Sequence, residues 1–334
     1  MRNPLFGSGP VTARSHRVHE RFTVSRRAAS KLGLMPMHSP ADRLGLNIPS
    51  GWWAAPSLLK SFEAAGFAGA QVHAPPASIL SDPRYCAPHA TALAAALATS
   101  RLEAVVHAPD ELRLGARGGE PAAEGLLSYA AQIGATHVVY HARDLQDAPE
   151  SQDALLFEAR SLAALSQRAE RLGVTIAIEN LAPVFPGPEP LSATPMVLRS
   201  LVNRIGSERV GICLDLGHAH IVAERRRTSI EALIEPVLDA VTLFHLHDNL
   251  GARWDHGDAS SGVDPLRLDL HLPPGRGTVP WGRLAPTLAA HRAPLMLEVH
   301  PPHRPRPEDL YDSAKELLSP AAGTRSSRPA AVAG

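Results

Sequence analysis

The sequence predicts one (β/α)8 barrel, the TIM-barrel fold, and three observations support this prediction. Short apolar runs of five or six residues alternate with longer segments in which apolar residues recur every three or four positions. Eight such pairs fill about 275 residues, which is the size of an eight-unit barrel. No G-x-G-x-x-G motif follows the first run, and this disfavours an open, doubly wound sheet, the competing α/β fold.

The predicted elements follow one another as strand, turn and helix from residue 43 to residue 318. Because strands that alternate with helices pair in parallel, all eight strands are expected to run in the same direction. The segment 153–173 is typical of the helices, since its apolar residues recur at three and four positions and it ends at Gly173. The strands are predicted at 44–48, 69–73, 102–107, 137–141, 175–180, 210–215, 241–245 and 295–300.

The two ends of the chain differ in composition from the barrel. Residues 1–42 show no apolar periodicity, and residues 1–40 carry seven Arg or Lys against one acidic residue, which predicts a basic, flexible N-terminal arm. Residues 319–334 are rich in Ala, Ser, Pro and Gly and predict a disordered tail. We therefore expect a single domain, residues 43–318, between two tails.

The composition limits the class of protein. Two cysteines, Cys86 and Cys213, are too few for a disulfide framework or a Cys-type zinc site. No apolar run is long enough to cross a membrane. Outside residues 1–40 the chain holds 26 basic and 32 acidic residues, and this net charge of −6 is poorly matched to nucleic acid. We expect a cytoplasmic protein with no membrane partner, and self-association into a homo-oligomer stays open.

Most of the predicted strands end at or near a residue able to bind a metal. In a barrel these ends converge on the C-terminal face, where active sites are built. One charged residue at a strand end is usually a solvated rim residue, but six that converge predict a functional site. The six are His107, His141, Glu179, Asp215, His245 and Glu298.

Carboxylates and imidazoles without thiolates suit zinc, manganese, iron or magnesium, so we expect a divalent metal cofactor of one to three ions. One ion would be held by a four-ligand set. His107 and His141 would hold a second ion, with Glu179 as the bridge. The four-ligand set is Glu179, Asp215, His245 and Glu298.

The long loop after the seventh strand, residues 246–280, contains two Asp/His pairs. Asp255 and His256 are adjacent, so they point to opposite sides of an extended chain. Asp269 and His271 are two residues apart, so they share a face and are able to chelate one ion. His218, three residues after Asp215, would complete a third site with that second pair; the alternative is that these histidines only rim a polar cleft.

A series of short motifs recurs in order through residues 43–318: "HAPD", "YHARD", "IEN", "CLDLGHAH", "FHLHDN", "DLHLPPGRG" and "LEVH". This series resembles the xylose isomerase-like TIM-barrel superfamily. Its members include sugar isomerases and epimerases and the DNA-repair enzyme endonuclease IV.

The resemblance implies roles for individual residues. The metal set shared across the superfamily falls on Glu179, Asp215, His245 and Glu298. We take His245 rather than His247 because the first histidine of "HLHD" resembles the family's ligand. His300 shares a face with Glu298, and His73 and His220 are expected in the cleft or at the surface. The additional ligands of three-metal members fall on His107, His141, His218, Asp269 and His271.

The function that this resemblance favours is a sugar or sugar-phosphate isomerase or epimerase with a small carbohydrate substrate. Glu179 and Glu298 would take and give protons at a metal-held substrate, as in the family's sugar epimerases. His218 and Arg276 would hold substrate hydroxyls or a phosphate. Trp52, with its neighbour Trp53, would form a sugar-stacking wall or merely cap the barrel.

The ligand pattern leaves two other functions open. A three-zinc phosphodiesterase resembling endonuclease IV would use the full ligand set on DNA. The negative barrel opposes it, as do Leu270 and Asp110, where the family's DNA-repair members carry an arginine and an aromatic residue. A non-catalytic barrel would have to keep nine potential ligands unpaired, which is costly.

Overall fold

The structure is a computed structural model and describes residues 39–114, 119–142, 149–183, 189–251 and 269–319. These residues form a closed barrel of eight parallel strands, each paired with its neighbours in sequence order and the last with the first. The predicted fold class is therefore confirmed. The strands are β1 Leu44–Asn47, β2 Gly69–His73, β3 Glu103–His107, β4 His137–His141, β5 Thr175–Glu179, β6 Val210–Asp215, β7 Val241–Leu246 and β8 Leu295–Leu297.

Helices separate the strands, and proline and glycine residues define where several of them begin and end. Proline is the first residue of several helices, where it removes no helical hydrogen bond. Gly66 and Gly206 end two of them in the left-handed conformation, with φ of 106° and 64°. The helices are α1 Pro56–Ala65, α2 Ala77–Leu80, α3 Pro83–Leu97, α4 Gly119–Gln132, α5 Pro149–Leu172, α6 Pro195–Ile205, α7 Leu216–Arg225, α8 Ile230–Ile234, α9 Trp281–Ala290 and α10 Pro307–Leu317.

The interior of the barrel is filled by a small apolar cluster that supports the site above it. Each member lies two residues before one of the six candidate ligands, so the ligand side chains form the next inward-facing layer. A Cβ on Gly45 would lie 2.3 Å from the Met296 sulfur, so glycine leaves room for Met296 to fill the interior. The cluster is Val105, Val139, Ala177, Cys213, Leu243 and Met296.

The predicted tails lie almost wholly outside the described residues. Within the predicted arm, Ser39 caps a 3-10 turn, Pro40–Arg43, which leads directly into β1. Asp255 and His256 also lie outside the described residues. Among the helices of the described part, none is both long and apolar enough to cross a membrane.

Candidate active site and metal centres

Four buried side chains meet above the apolar cluster at the C-terminal ends of β5 to β8, and we call them the central set: Glu179, Asp215, His245 and Glu298. One potential ligand atom from each lies within 4.8 Å of the others. His245 Nδ1 is 3.0 Å from Glu179 Oε1, 3.4 Å from Glu298 Oε2 and 3.9 Å from Asp215 Oδ2. The structure thus brings together the four residues that the sequence predicted as one set.

Gln71, a buried residue of β2, orients two members of the central set. Its carbonyl oxygen lies 2.8 Å from His245 Nε2, and its amide donates to Glu298 Oε1. His245 therefore presents Nδ1, and Glu298 presents Oε2, to the centre of the set. Sequence reasoning missed Gln71, although a polar residue inside the apolar run "GAQVH" was a usable signal.

Asn180 fixes the backbone of Asp215. Its amide donates to the Asp215 carbonyl at 3.0 Å, and its oxygen accepts from the Asp215 N–H at 2.8 Å. Asp215 in turn caps α7, because its Oδ1 accepts the His218 N–H at 2.7 Å. The remaining oxygen, Oδ2, faces the central set. Asn180 was also missed, although it is the third residue of the motif "IEN".

The predicted pair of His107 and His141 lies beside Glu179. Their Nε2 atoms are 3.5 Å and 3.2 Å from Glu179 Oε2, and the rings meet edge to face at 4.7 Å. His107 Nδ1 donates to the Ala108 carbonyl at 2.7 Å, so Nε2 is the atom left to bind. Asp110, which was not predicted as a ligand, adds a carboxylate 3.6 Å from His141 Nδ1 and groups with this pair.

A second cluster of four, the histidine-rich set, lies next to the central set. It contains His218, Asp269 and His271, as the sequence predicted, and also His247. Asp269 Oδ2 is 3.3 Å from His218 Nε2 and 2.9 Å from His271 Nε2. The sequence offers His245 and His247 as alternatives, but in the structure each contributes to a different set.

Several buried polar atoms in these sets have no hydrogen-bond partner among the described residues. They are Asp215 Oδ2, His247 Nδ1 and Asp269 Oδ1, together with Glu179 Oε2 and His247 Nε2. The last two make ion-pair contacts without hydrogen-bond geometry, at 3.2 Å from His141 Nε2 and 3.0 Å from Asp215 Oδ1 respectively. Leaving a buried polar group unsatisfied costs about 1–3 kcal/mol, so native structures rarely leave several together. Carboxylate oxygens and imidazole nitrogens are donors that divalent cations accept, and these residues therefore fit such ions.

The charges of the site are arranged around the two glutamates. Burial favours the neutral form of Glu179, but His245 and His141 outweigh burial and hold its pKa well below its usual range. Burial also favours the neutral form of Glu298, yet His245 lowers the pKa of Glu298 to about 2. Burial opposes the charged form of His107, but Glu179 raises its pKa to about 9. Both glutamates are therefore ionised at neutral pH, and a bound cation would displace the neighbouring imidazolium protons.

Asp248 anchors the loop that carries Asp269 and His271. Its buried carboxylate accepts the N–H groups of Gly275 at 2.8 Å and Val279 at 3.0 Å, and the indole N–H of Trp281 at 3.0 Å. Asp248 and Leu272 also exchange two backbone hydrogen bonds of 2.8 Å. His271 has a φ of 46°, a strained value for a residue other than glycine, and its carbonyl accepts from His300 at 3.1 Å.

Two of the residues predicted to bind substrate, Trp52 and Arg276, lie on exposed turns. Trp52 is exposed on the turn after β1, on the same face as the central set. Arg276 is exposed on the turn that Asp248 anchors, and its side chain makes no hydrogen bond or ion pair with a described residue. The His73 ring lies 5.0 Å from the His107 ring at an interplanar angle of 37°. His220, expected in the cleft or at the surface, is buried, and its Nε2 lies 2.9 Å from Thr278 Oγ1.

The family follows from the chain's match to known proteins. The family profile described as xylose isomerase-like TIM barrel matches residues 59–320. The chain belongs to this family. The resemblance drawn from the motifs is thereby confirmed.

One curated relative shares part of this family domain. The uncharacterized protein y4fM of Sinorhizobium fredii is 29% identical over 178 residues, which are 52% of this chain and 50% of the relative. The chain thus aligns with about half the length of that relative.

Solved structures show the same fold along most of the chain. A D-tagatose 3-epimerase-like protein superposes with a TM-score of 0.60 at 20% identity, covering 83% of this chain and 97% of that one. The TTHB071 protein of Thermus thermophilus, soaked with zinc chloride, superposes with a TM-score of 0.59 at 23% identity, covering 85% and 100%. At these identities the similarity shows a shared fold.

Proposed function

We propose that this family member is a divalent-metal-dependent sugar or sugar-phosphate isomerase or epimerase. The observation that carries the proposal is the meeting of two buried glutamates, Glu179 and Glu298, within 4.8 Å at the C-terminal face of the barrel. The fold similarity to a D-tagatose 3-epimerase-like protein supports the same class of enzyme.

Isomerisation and epimerisation both require a proton to leave a carbon next to a carbonyl and to return to the same or the neighbouring carbon. A bound divalent cation, held by the central set, would supply a Lewis acid for the substrate carbonyl. Glu179 and Glu298 are ionised and buried, so each is able to accept a proton at a carboxylate oxygen. One would remove the proton and the other would return it.

The surrounding residues prepare this pair for the reaction. Gln71 holds one oxygen of Glu298, which limits the directions in which Oε2 moves. The apolar cluster beneath excludes water from the base of the site. Trp52 on the rim offers an aromatic face of the kind that stacks on sugar rings. Together these features favour a small polyhydroxy carbonyl compound as the substrate.

The second candidate is the three-ion phosphodiesterase. One observation favours it: the nine residues of the larger ligand set lie at the same end of the barrel, in neighbouring groups. The Asp110 carboxylate, 79% exposed beside His141, opposes it because a negative rim repels a phosphate backbone. Leu270 lies between Asp269 and His271 and offers no cation to a phosphate.

One sample tests both candidates. The full chain, loaded with zinc or manganese, is incubated in deuterium oxide with a panel of ketoses and ketose phosphates and followed by proton NMR. The same sample is then given duplex DNA that contains abasic sites. We expect deuterium at a carbon beside the carbonyl and intact DNA, whereas nicked DNA without deuterium uptake would replace the proposal with the second candidate.

A further inference from the structure

Glu298 is held differently from the other members of the central set. The other three lie within β5, β6 and β7, so their backbone belongs to the sheet. β8 ends at Leu297, one residue before Glu298. The pairing of β1 with β8 stops at the same level, with Leu46 opposite Leu297. Beyond this level, β1 and the chain after β8 are joined by contacts other than strand pairing.

Two side chains make these contacts. Asn47, the last residue of β1, is buried, and its Oδ1 accepts the Val299 N–H at 3.2 Å. Arg304 follows the 3-10 turn Pro301–His303 and reaches back to both segments. Its Nη2 donates to the Asn47 carbonyl at 2.8 Å, to the Val299 carbonyl at 3.0 Å and to Asn47 Oδ1. We call Asn47 and Arg304 the β1–β8 clamp.

The surroundings of Arg304 are unfavourable for a cation. The side chain is half-buried, it forms no ion pair with a described residue, and its buried Nε has no hydrogen-bond partner among those residues. Burial lowers the pKa of Arg304 to about 10, which still leaves the guanidinium charged at neutral pH. Burying a charge without a counter-ion lowers stability. Groups that lower stability in this way are typical of functional sites.

The clamp acts on the backbone that carries the Glu298 side chain. The Glu298 N–H donates to the Leu246 carbonyl of β7 at 3.0 Å, and the Glu298 carbonyl accepts from His271 Nδ1 at 3.1 Å. The next N–H, on the peptide that follows Glu298, is the one that Asn47 accepts. Gln71 holds the carboxylate itself through Oε1. Among these contacts, the clamp is the one that ties the Glu298 backbone to β1.

We propose that Asn47 and Arg304 are positioning residues for one of the two proton-transferring glutamates. By tying the peptide after Glu298 to β1, they fix where its carboxylate lies relative to that of Glu179. In this assignment neither clamp residue contacts the substrate. The inference rests on the proposed function, because it assigns the clamp to Glu298 and not to Glu179.

A reaction with two proton-transferring groups gives this assignment a specific signature. If Glu298 is misplaced, Glu179 still removes a proton from the sugar on which it acts first, but the return of a proton by Glu298 becomes slow. Solvent deuterium then enters that sugar with little conversion. From the other sugar, Glu298 must remove the proton, so both exchange and conversion fall. A general loss of folding would instead lower exchange equally from both sugars.

The test measures exchange in both directions. The full chain, loaded with manganese or zinc, is given in deuterium oxide each of the two sugars that the unmutated chain interconverts, and proton NMR follows exchange and conversion separately. Arg304→Met removes the donors and should slow exchange from one sugar by about 10–100-fold, while exchange from the other stays within about three-fold. Arg304→Lys keeps a charged donor and should restore part of the loss. Arg306→Met removes an exposed arginine that pairs with Asp309 and should change neither direction.

Crystal structures give a readout that does not depend on activity. Without added metal, Glu298 Oε2 lies 3.4 Å from His245 Nδ1, and this distance should lengthen by about 1 Å or more in Arg304→Met and in Asn47→Ala. The 3.0 Å distance from His245 Nδ1 to Glu179 Oε1 should persist. An unchanged 3.4 Å distance, or an equal fall of exchange from both sugars, would overturn the assignment. An unmutated chain that exchanges neither sugar would overturn the proposed function instead.

Discussion

The central set and the histidine-rich set lie side by side, yet their compositions are nearly opposite. The first has three carboxylates and one imidazole, and the second has three imidazoles and one carboxylate. Asp215 joins them, since Oδ2 faces the central set while Oδ1 lies 3.0 Å from His247 Nε2. Two neighbouring sites in one protein therefore have different chemistry available to them.

The difference suggests a division of roles. Carboxylates accept and return protons and also bind hard ions such as magnesium and manganese, whereas imidazoles favour zinc and similar metals. The central ligands lie at strand ends of the barrel, which hold them rigidly. The histidine-rich ligands lie on α7 and on the loop after β7, which an ion would hold together. We infer that proton transfer belongs to the central set, because its carboxylates are the groups able to accept and return protons.

The largest effect is expected for Glu179→Gln. The change removes a proton acceptor and a ligand of the central set, so deuterium exchange into substrate should fall by about 10²–10⁴-fold. Glu103→Gln, an exposed change at the opposite end of the barrel, is the matched control. Exchange that persists in Glu179→Gln would remove this residue from the mechanism.

The next effect is expected for Gln71→Leu. This change removes the hydrogen bonds that orient His245 and Glu298 and should lower turnover, or metal affinity at the central set, by about 10–100-fold. Steady-state kinetics and metal titration measure it, with the exposed Gln132→Leu as the control. Unchanged turnover and metal affinity would show that His245 and Glu298 keep their orientation without the hydrogen bonds from Gln71.

A smaller effect, now on stability, is expected for Asp248→Asn. The carboxylate accepts from four groups around the loop, and its loss should lower the free energy of unfolding by about 1.5–3 kcal/mol. Zinc retention at the histidine-rich set should weaken more than at the central set. Denaturant unfolding measures the first effect. Asp239→Asn breaks an exposed ion pair with Arg199 and should cost at most about 1 kcal/mol; an equal loss in both variants would contradict the anchoring role.

The smallest effect is expected for Trp52→Ala on the rim. Loss of an aromatic stacking surface should raise KM about 3–10-fold and leave kcat nearly unchanged. Tyr85→Ala is a fair control because Tyr85 is 60% exposed and Trp52 is 55% exposed. An unchanged KM would mean that Trp52 only caps the barrel.

The fold was predictable because its signal is local. Each strand is a short apolar run and each helix has apolar residues at helical spacing, so β1 to β8 were placed within a few residues. The ligands at strand ends were predictable for the same reason, since a barrel brings all such ends to one face. In β5, for example, Ala177 packs in the interior and Glu179, two residues later, forms the next layer.

The missed residues depend on contacts between distant segments. Gln71 acts across the barrel on Glu298, 227 positions away, and sequence spacing does not reveal such a pair. His247 duplicates His245 in the sequence pattern, and only the path of the chain after β7 gives it a separate set. Its space depends on Gly217, from a different strand–helix unit, because a Cβ there would lie 2.1 Å from His247 Cε1. Arg276 is exposed in the structure, and its contact with substrate stays a prediction.

The most direct test of the account is the metal content of the protein itself. Full-length chain purified without chelators is subjected to elemental analysis, and its melting temperature is measured with and without added zinc and manganese. The account predicts at least one divalent ion per chain and a higher melting temperature when ions are added. Protein that contains no divalent ion, and whose melting temperature neither metal raises, would contradict it.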